Sequence, residues 1–179
     1  MALNVAIVGH SQTPRMYSYQ NVNIHIFKGR GAKIDDVYQS GSKLNRVLQY
    51  SWDIVFLFIG GNDICDKPPS VVVEELIALR HQIHSRYVYI TAIEPRYYTL
   101  AKEIQYRITT KEYNTRAKIA NNRLKRFAER NYYRNILICP EYLYGSPDGV
   151  HLGEIGNNSL IIKYKKVIRY IQYSDVNEM

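Results

Sequence analysis

Three short stretches of the chain carry residue types that could act together on a carbonyl group: Gly9-His10-Ser11, Gly60-Gly61-Asn62-Asp63 and Asp148-Gly149-Val150-His151. A serine hydroxyl is a weak nucleophile at neutral pH unless a base stands within about 3 Å, and an imidazole with an ordinary pKa near 6.5 suits that task. The three-residue step from Asp148 to His151 lets a carboxylate reach the imidazole Nδ1, fix its tautomer and favour the imidazolium formed on attack. Negative charge then develops on the carbonyl oxygen, where the Asn62 amide and backbone N–H groups could meet it, each donor worth on the order of 100- to 1000-fold in rate. Together the stretches supply a nucleophile, a base, an orienter and an oxyanion donor. Singly they have plainer uses. Gly-x-Ser is commonly a strand-to-helix turn, Gly-Gly-Asn-Asp is a tight turn whose Asn and Asp tolerate left-handed backbone, and Asp148 and His151 could be a turn residue and a helix cap.

Such residues cooperate only if the fold brings them to one place. Five short segments rich in Val, Ile, Tyr and Phe read as strands: Leu3 to Val8, Val22 to Phe27, Ile54 to Ile59, Tyr87 to Ile93 and Ile136 to Cys139. Four are almost continuously apolar, as expected of parallel strands covered on both faces. Val22 to Phe27 alternates polar Asn23 and His25 with apolar neighbours and belongs at an edge. Between the strands, Ile34, Val37, Gly41, Leu44 and Leu48 keep helical spacing, as do Val72, Leu76, Leu79 and Ile83 after Pro69 and an expected N-cap at Ser70. Thr109 and Glu112 form an expected capping box ahead of the stripe Tyr113, Ala117, Ala120, Leu124 and Phe127. A last helix carries Leu160, Tyr164, Val167 and Ile171. The β-α alternation predicts a doubly wound α/β sandwich. In such sheets chemistry gathers at the carboxyl edge of the strands, where all three stretches fall.

With 179 residues, 46% hydrophobic and 22% charged, the composition is that of an ordinary globular chain and argues against disorder or low complexity. The expectation is one domain spanning residues 1–179. Cys65 and Cys139 are too far apart for a zinc ribbon or a redox pair and too few for a disulfide framework. The apolar start has no basic region before it and leads into Gly-His-Ser rather than a cleavage site, and the run Ile54 to Ile59 is far below a membrane span. A cytoplasmic or nuclear location is expected.

The order Ser11, a glycine after the second strand, Gly60-x-Asn62-Asp63, then Asp148-x-x-His151 resembles the conserved blocks of the SGNH (GDSL-type) hydrolase family, and the blocks run over nearly the whole chain. The resemblance implies a flavodoxin-like three-layer α/β/α sandwich with a five-stranded parallel sheet in the order 2-1-3-4-5, and ester hydrolysis. It implies Ser11 as nucleophile, Asn62 as side-chain donor to the oxyanion, and Asp148 with His151 as the C-terminal pair, followed by a matching Leu152, Gly153, Gly156 and Asn157. For the glycine that offers a backbone N–H, Gly31 fits the pattern better than Gly29. His10 stands where the family usually has an aspartate that is not part of the catalytic pair. Similar Gly-His-Ser domains occur in some retroelement-encoded SGNH proteins. The implied reaction is serine acylation followed by hydrolysis of the acyl-enzyme, with no metal or organic cofactor, on a small ester or an acylated carbohydrate or lipid.

A second reading starts from charge. The net charge is +8, and Arg96 to Arg134 holds eleven basic residues against three acidic ones, an excess equal to the whole net charge. Tyr97, Tyr98, Tyr106, Tyr113, Tyr132 and Tyr133, in or beside this stretch, could stack on bases or sugars. An SGNH scaffold with a non-functional triad, binding nucleic acid or an acidic partner through residues 96–134, is therefore the alternative to an esterase, and a merely solvated helix face is a third use of the same charge. His81 and His84, placed on one helix without a third ligand, read as surface residues. Ser40 and Ser42 read as helix residues beside Gly41, and Glu94 to Thr110 reads as a long variable loop.

Overall fold

The structure, a computed structural model, describes residues 2–130, 137–138 and 151–177. Five parallel strands make one sheet: β1 (Leu3–Gly9), β2 (Val22–Lys28), β3 (Trp52–Phe58), β4 (Ser85–Thr91) and β5 (Leu137–Ile138), in the order β2-β1-β3-β4-β5. This is the predicted order. The register aligns Gly9 with Lys28 on one side and with Phe58 on the other, so β1, β2 and β3 finish level at the carboxyl edge.

Side-chain alternation divides the core between the two faces of the sheet. Ala6, Val8, Val55, Leu57, Val88 and Ile90 pack with α1 (Ile34–Tyr38), α2 (Arg46–Gln49), α3 (Asp63–Asp66), α4 (Pro69–Gln82) and α6 (Thr110–Arg130). Val5, Ile7, Ile54, Phe56 and Tyr89 pack with Met16 and with α7 (Glu154–Asn177). The stripe of α7 is Leu160, Tyr164, Ile168 and Ile171, all buried, so Ile168 rather than Val167 takes the core position. The Tyr164 ring stacks on Phe56 with centroids 4.1 Å apart, and its hydroxyl meets Thr91 Oγ1 at 2.6 Å. Burying each of these large side chains contributes roughly 1.5–3 kcal/mol, which anchors α7 and with it the residues just before it.

Several local expectations are corrected. No helix follows Ser11. Residues 13–18 have no regular structure, and an irregular connection joins β1 to β2. Thr13 closes a turn onto the His10 carbonyl through its N–H at 3.0 Å and its hydroxyl at 2.8 Å, and Pro14 then disfavours helical backbone at Thr13. The pattern Ile34 to Leu48 is not one helix, because Gly41 takes φ +92° and Ser42 caps a short 3₁₀ turn, accepting from the Leu44 N–H at 3.2 Å. Pro68, not Ser70, is the N-cap of α4, with Pro69 at its first position. His84 lies beyond the end of α4 and, like His81, is exposed. The expected loop Glu94 to Thr110 contains α5 (Leu100–Tyr106), capped by Thr99, whose Oγ1 accepts from the Lys102 N–H. Thr109 caps α6 as expected, its Oγ1 accepting from the Glu112 N–H at 3.1 Å.

Candidate active site

Ser11 and His151, 140 positions apart in the chain, meet at the carboxyl edge with Oγ and Nε2 separated by 3.1 Å. Gly9 sets the path of the serine turn. A Cβ there would stand 2.1 Å from the Phe58 carbonyl oxygen and 2.5 Å from Thr13 Oγ1, so the close approach of β1 to β3 requires glycine. His151 is fixed from behind. Leu152 is buried in the α7 core, and its carbonyl accepts from Asn157 Nδ2 at 3.2 Å.

Asn62 and the Gly31 turn are joined directly. Asn62 Nδ2 donates to the Ala32 carbonyl at 3.0 Å, leaving its second N–H for another acceptor. The Gly29 N–H is already committed to the Gly9 carbonyl at 3.1 Å, whereas neither the Gly31 nor the Ser11 N–H has an acceptor among the described residues. Gly31 sits at φ +65°. Asp63, fully buried, accepts from the Ile34 N–H at 3.2 Å and lies 3.5 Å from Lys67 Nζ, tying the turn after β3 to the turn after β2. Burial pushes its carboxyl above the usual range. Asp148 lies outside the described residues.

Beneath this edge is a buried polar cluster that sequence reading missed. His10, Glu94 and Arg96 are each about 1% exposed. Arg96 donates from Nη1 to Tyr98 Oη at 2.6 Å and from Nη2 to Asn62 Oδ1 at 3.2 Å, and its guanidinium sits 4.7 Å from the Tyr113 ring centroid. Glu94 Oε1 lies 3.7 Å from Arg96 Nη2 and 3.6 Å from His10 Nε2, and among the described residues neither Glu94 oxygen has a hydrogen-bond partner. Burial pushes the His10 imidazole down to about 3, reinforced by Arg96 and His151, so it is neutral at neutral pH. Burial also raises the Glu94 carboxyl, with Arg96 opposing. The backbone around Arg96 is clamped from α6: Asn114 Oδ1 accepts from the Arg96 N–H and Asn114 Nδ2 donates to its carbonyl, both at 2.8 Å. Asn121, two turns on, holds Ile93 in the same way at 2.9 and 2.8 Å. The available signal was a charged pair, Glu94 and Arg96, directly after an apolar strand, where a sheet of this kind concentrates its polar machinery.

The sequence profile of the GDSL-like lipase/acylhydrolase family matches residues 3–161. The chain belongs to this family. Membership supports ester hydrolysis as its general activity, and no curated protein sequence matches the chain significantly. Among solved structures similar to this GDSL-like hydrolase are a carbohydrate acetylesterase from Sinorhizobium meliloti (TM-score 0.71, 14% identity, 94% of this chain and 99% of that one) and an inhibitor-bound aryl esterase of M. smegmatis (TM-score 0.72, 10% identity, 94% and 99%). A GDSL-like lipase from Bacteroides thetaiotaomicron aligns at TM-score 0.68 with 14% identity over 94% and 88% of the two chains. At these identities the likeness shows the three-layer fold.

The remaining candidates in this hydrolase have other roles. Cys65, half-buried, lies 3.9 Å from the Gly61 carbonyl and 3.8 Å from Tyr98 Oη, and burial pushes its thiol up, away from a nucleophilic thiolate. Among the described residues no three His, Cys, Asp or Glu side chains gather as a metal site, and no helix is long and apolar enough to cross a membrane. Arg96, counted in the basic surface, is interior. Arg116 is engaged with the Ile64 and Cys65 carbonyls at 3.1 and 3.3 Å and with Glu112. Tyr98 is buried against Tyr106 at 5.2 Å, while Tyr97 is exposed.

Proposed function

We propose that the chain is a serine esterase acting on short acyl esters, with Ser11 as nucleophile, His151 as general base and acid, Asp148 as its orienter, and the Asn62 amide with the Ser11 and Gly31 N–H groups around the oxyanion. The observation that carries this reading is the 3.1 Å approach of Ser11 Oγ to His151 Nε2, within reach for proton transfer. In the proposed cycle His151 removes the hydroxyl proton as Oγ adds to the carbonyl carbon, then returns it to the leaving alkoxide as the C–O bond breaks. Water, deprotonated by the same imidazole, cleaves the acyl-serine. The donors around the oxyanion make interactions that strengthen as charge develops, which is where binding accelerates a reaction.

The proposal extends to short acyl groups, which the cleft has room to accept. The cleft over Ser11 and His151 is about 340 Å³, with Leu152 and Ile161 as apolar lining. The alternative of a nucleic-acid module working through residues 96–134 draws no support from family membership, and its first cation, Arg96, points inward.

Hydrolysis of 4-nitrophenyl acetate by the wild type and by Ser11→Ala tests the assignment. Loss of at least 1000-fold in kcat/KM is expected. Equal rates for the two proteins would sink it. Profiling esters of increasing acyl length should show kcat/KM falling beyond short chains.

A further inference from the structure

The cleft that holds Ser11 and His151 is also lined by Arg15, from the irregular connection after Ser11, and by Lys28, the last residue of β2. Among the described residues neither cation has an acidic partner, and no carboxylate lines the cleft. Some cations elsewhere are neutralised locally, Lys67 by Asp35 and Glu75, Lys33 by Asp66 and Arg116 by Glu112, whereas these two face the cleft. Two uncompensated cations beside a nucleophile raise the local concentration of anions and form charge-assisted hydrogen bonds with phosphate or carboxylate oxygens. Both flank the concave space a substrate must enter, next to the apolar Leu152 and Ile161.

We infer that the substrate carries an anionic group, a phosphate or a carboxylate, beyond its ester, and that Arg15 and Lys28 bind it. This rests on the esterase reading for the chemistry but not for the binding. Arg15 and Lys28 act on affinity and orientation, while Ser11 and His151 act on the ester itself. The connection without a helix is what makes the arrangement possible, because it lays Arg15 along the cleft rim four residues from the nucleophile.

The test pairs an anionic ester with a neutral one of like leaving group: 4-acetoxybenzoate with its methyl ester, and 4-acetoxyphenyl phosphate as the phosphate arm. The ratio of kcat/KM for anionic over neutral ester is compared between the wild type and Arg15→Gln/Lys28→Gln. The ratio is expected to fall about tenfold or more, as for loss of hydrogen bonds to a charged group, and to fall in the wild type as salt is raised. A larger fall in one arm identifies phosphate or carboxylate as the better ligand. An unchanged ratio in both arms overturns the inference. Calorimetric binding of 4-acetoxyphenyl phosphate to Ser11→Ala protein, with and without the two glutamines, reads the same contact without turnover. Equal affinity there also overturns it. Absence of Ser11-dependent turnover with every ester would instead remove the esterase reading and leave the calorimetric comparison to decide this one.

Discussion

Arg96 Nη2 donates to Asn62 Oδ1 at 3.2 Å, and this fixes which way the Asn62 amide faces. With the carbonyl end held by a cation, the NH₂ end donates to Ala32, and under the proposed function its second N–H meets the oxyanion. In that reading Arg96 is a positioning residue, held in turn by Tyr98, Tyr113 and the Asn114 clamp. Arg96→Met is expected to lower kcat by about 10- to 100-fold with little change in KM, and Asn62→Ala by about 100- to 1000-fold. The double variant should be no slower than Asn62→Ala alone, because the guanidinium acts through the amide. Removing a buried cation beside Glu94 also destabilises the fold, so Arg96→Lys and an unfolding curve accompany the rate measurement. Additive losses in the double variant would show that Arg96 acts elsewhere.

The proposed triad makes a separate forecast. If Ser11, His151 and Asp148 work as a unit, Ser11→Ala and His151→Ala should each abolish most of the acceleration, and combining them should cost little more. Asp148→Asn should lower kcat by about 100-fold or more through the wrong imidazole tautomer. Steady-state rates on 4-nitrophenyl acetate for the three single variants and the Ser11→Ala/His151→Ala pair check this. Multiplicative effects would contradict a shared machine.

What the sequence makes legible here is periodicity and turn chemistry. Apolar runs such as Ile54 to Ile59 place the strands within two residues, because a strand covered on both faces leaves no alternative to continuous burial. The strand-end residues Ser11, Asn62 and His151 could be singled out because their stretches follow one another in the order of the family's blocks and fall at one edge of the expected sheet. Arg96 could not, since a surface arginine and a buried one look identical until Asn62, Tyr98 and Tyr113 surround it. The break at Gly41 marks the limit of that legibility: helical spacing is necessary for a helix, but a glycine at φ +92° decides otherwise locally.

Gly9 yields a stringent check on the serine turn. Gly9→Ala places a methyl 2.1 Å from the Phe58 carbonyl oxygen, a backbone atom that moves only if β3 moves. The expected cost is about 3 kcal/mol or more in urea unfolding, with activity lost beyond what the remaining folded fraction explains, since Ser11 shifts relative to His151. Gly31→Ala, where nothing lies within 4 Å of the added carbon, carries only the strain of positive φ and should cost about 1–2 kcal/mol. A Gly9→Ala protein as stable and active as the wild type would contradict the close strand approach.

His10 gives the fold an acid-sensitive point. Its folded pKa, about 3, lies below the ordinary 6.5, so between those values the unfolded chain binds the proton and the folded chain does not. Stability therefore rises with pH through this window and is lost on acidification from about pH 6.5 downward, by on the order of 5 kcal/mol if the whole shift is expressed. Glu94, 3.6 Å away, works in the opposite direction. Its raised carboxyl pKa adds stability below the unfolded value that is lost as pH rises, so it offsets part of the His10 effect at the acid end. The other titratable groups facing His10, Arg96 and His151, both disfavour an imidazolium there. Urea unfolding of the wild type and His10→Asn at pH 7, 5.5 and 4.5 should show the wild-type curve falling more steeply with acid, the two converging as pH drops. Parallel curves would mean that the buried imidazole takes up its proton in the folded state without penalty.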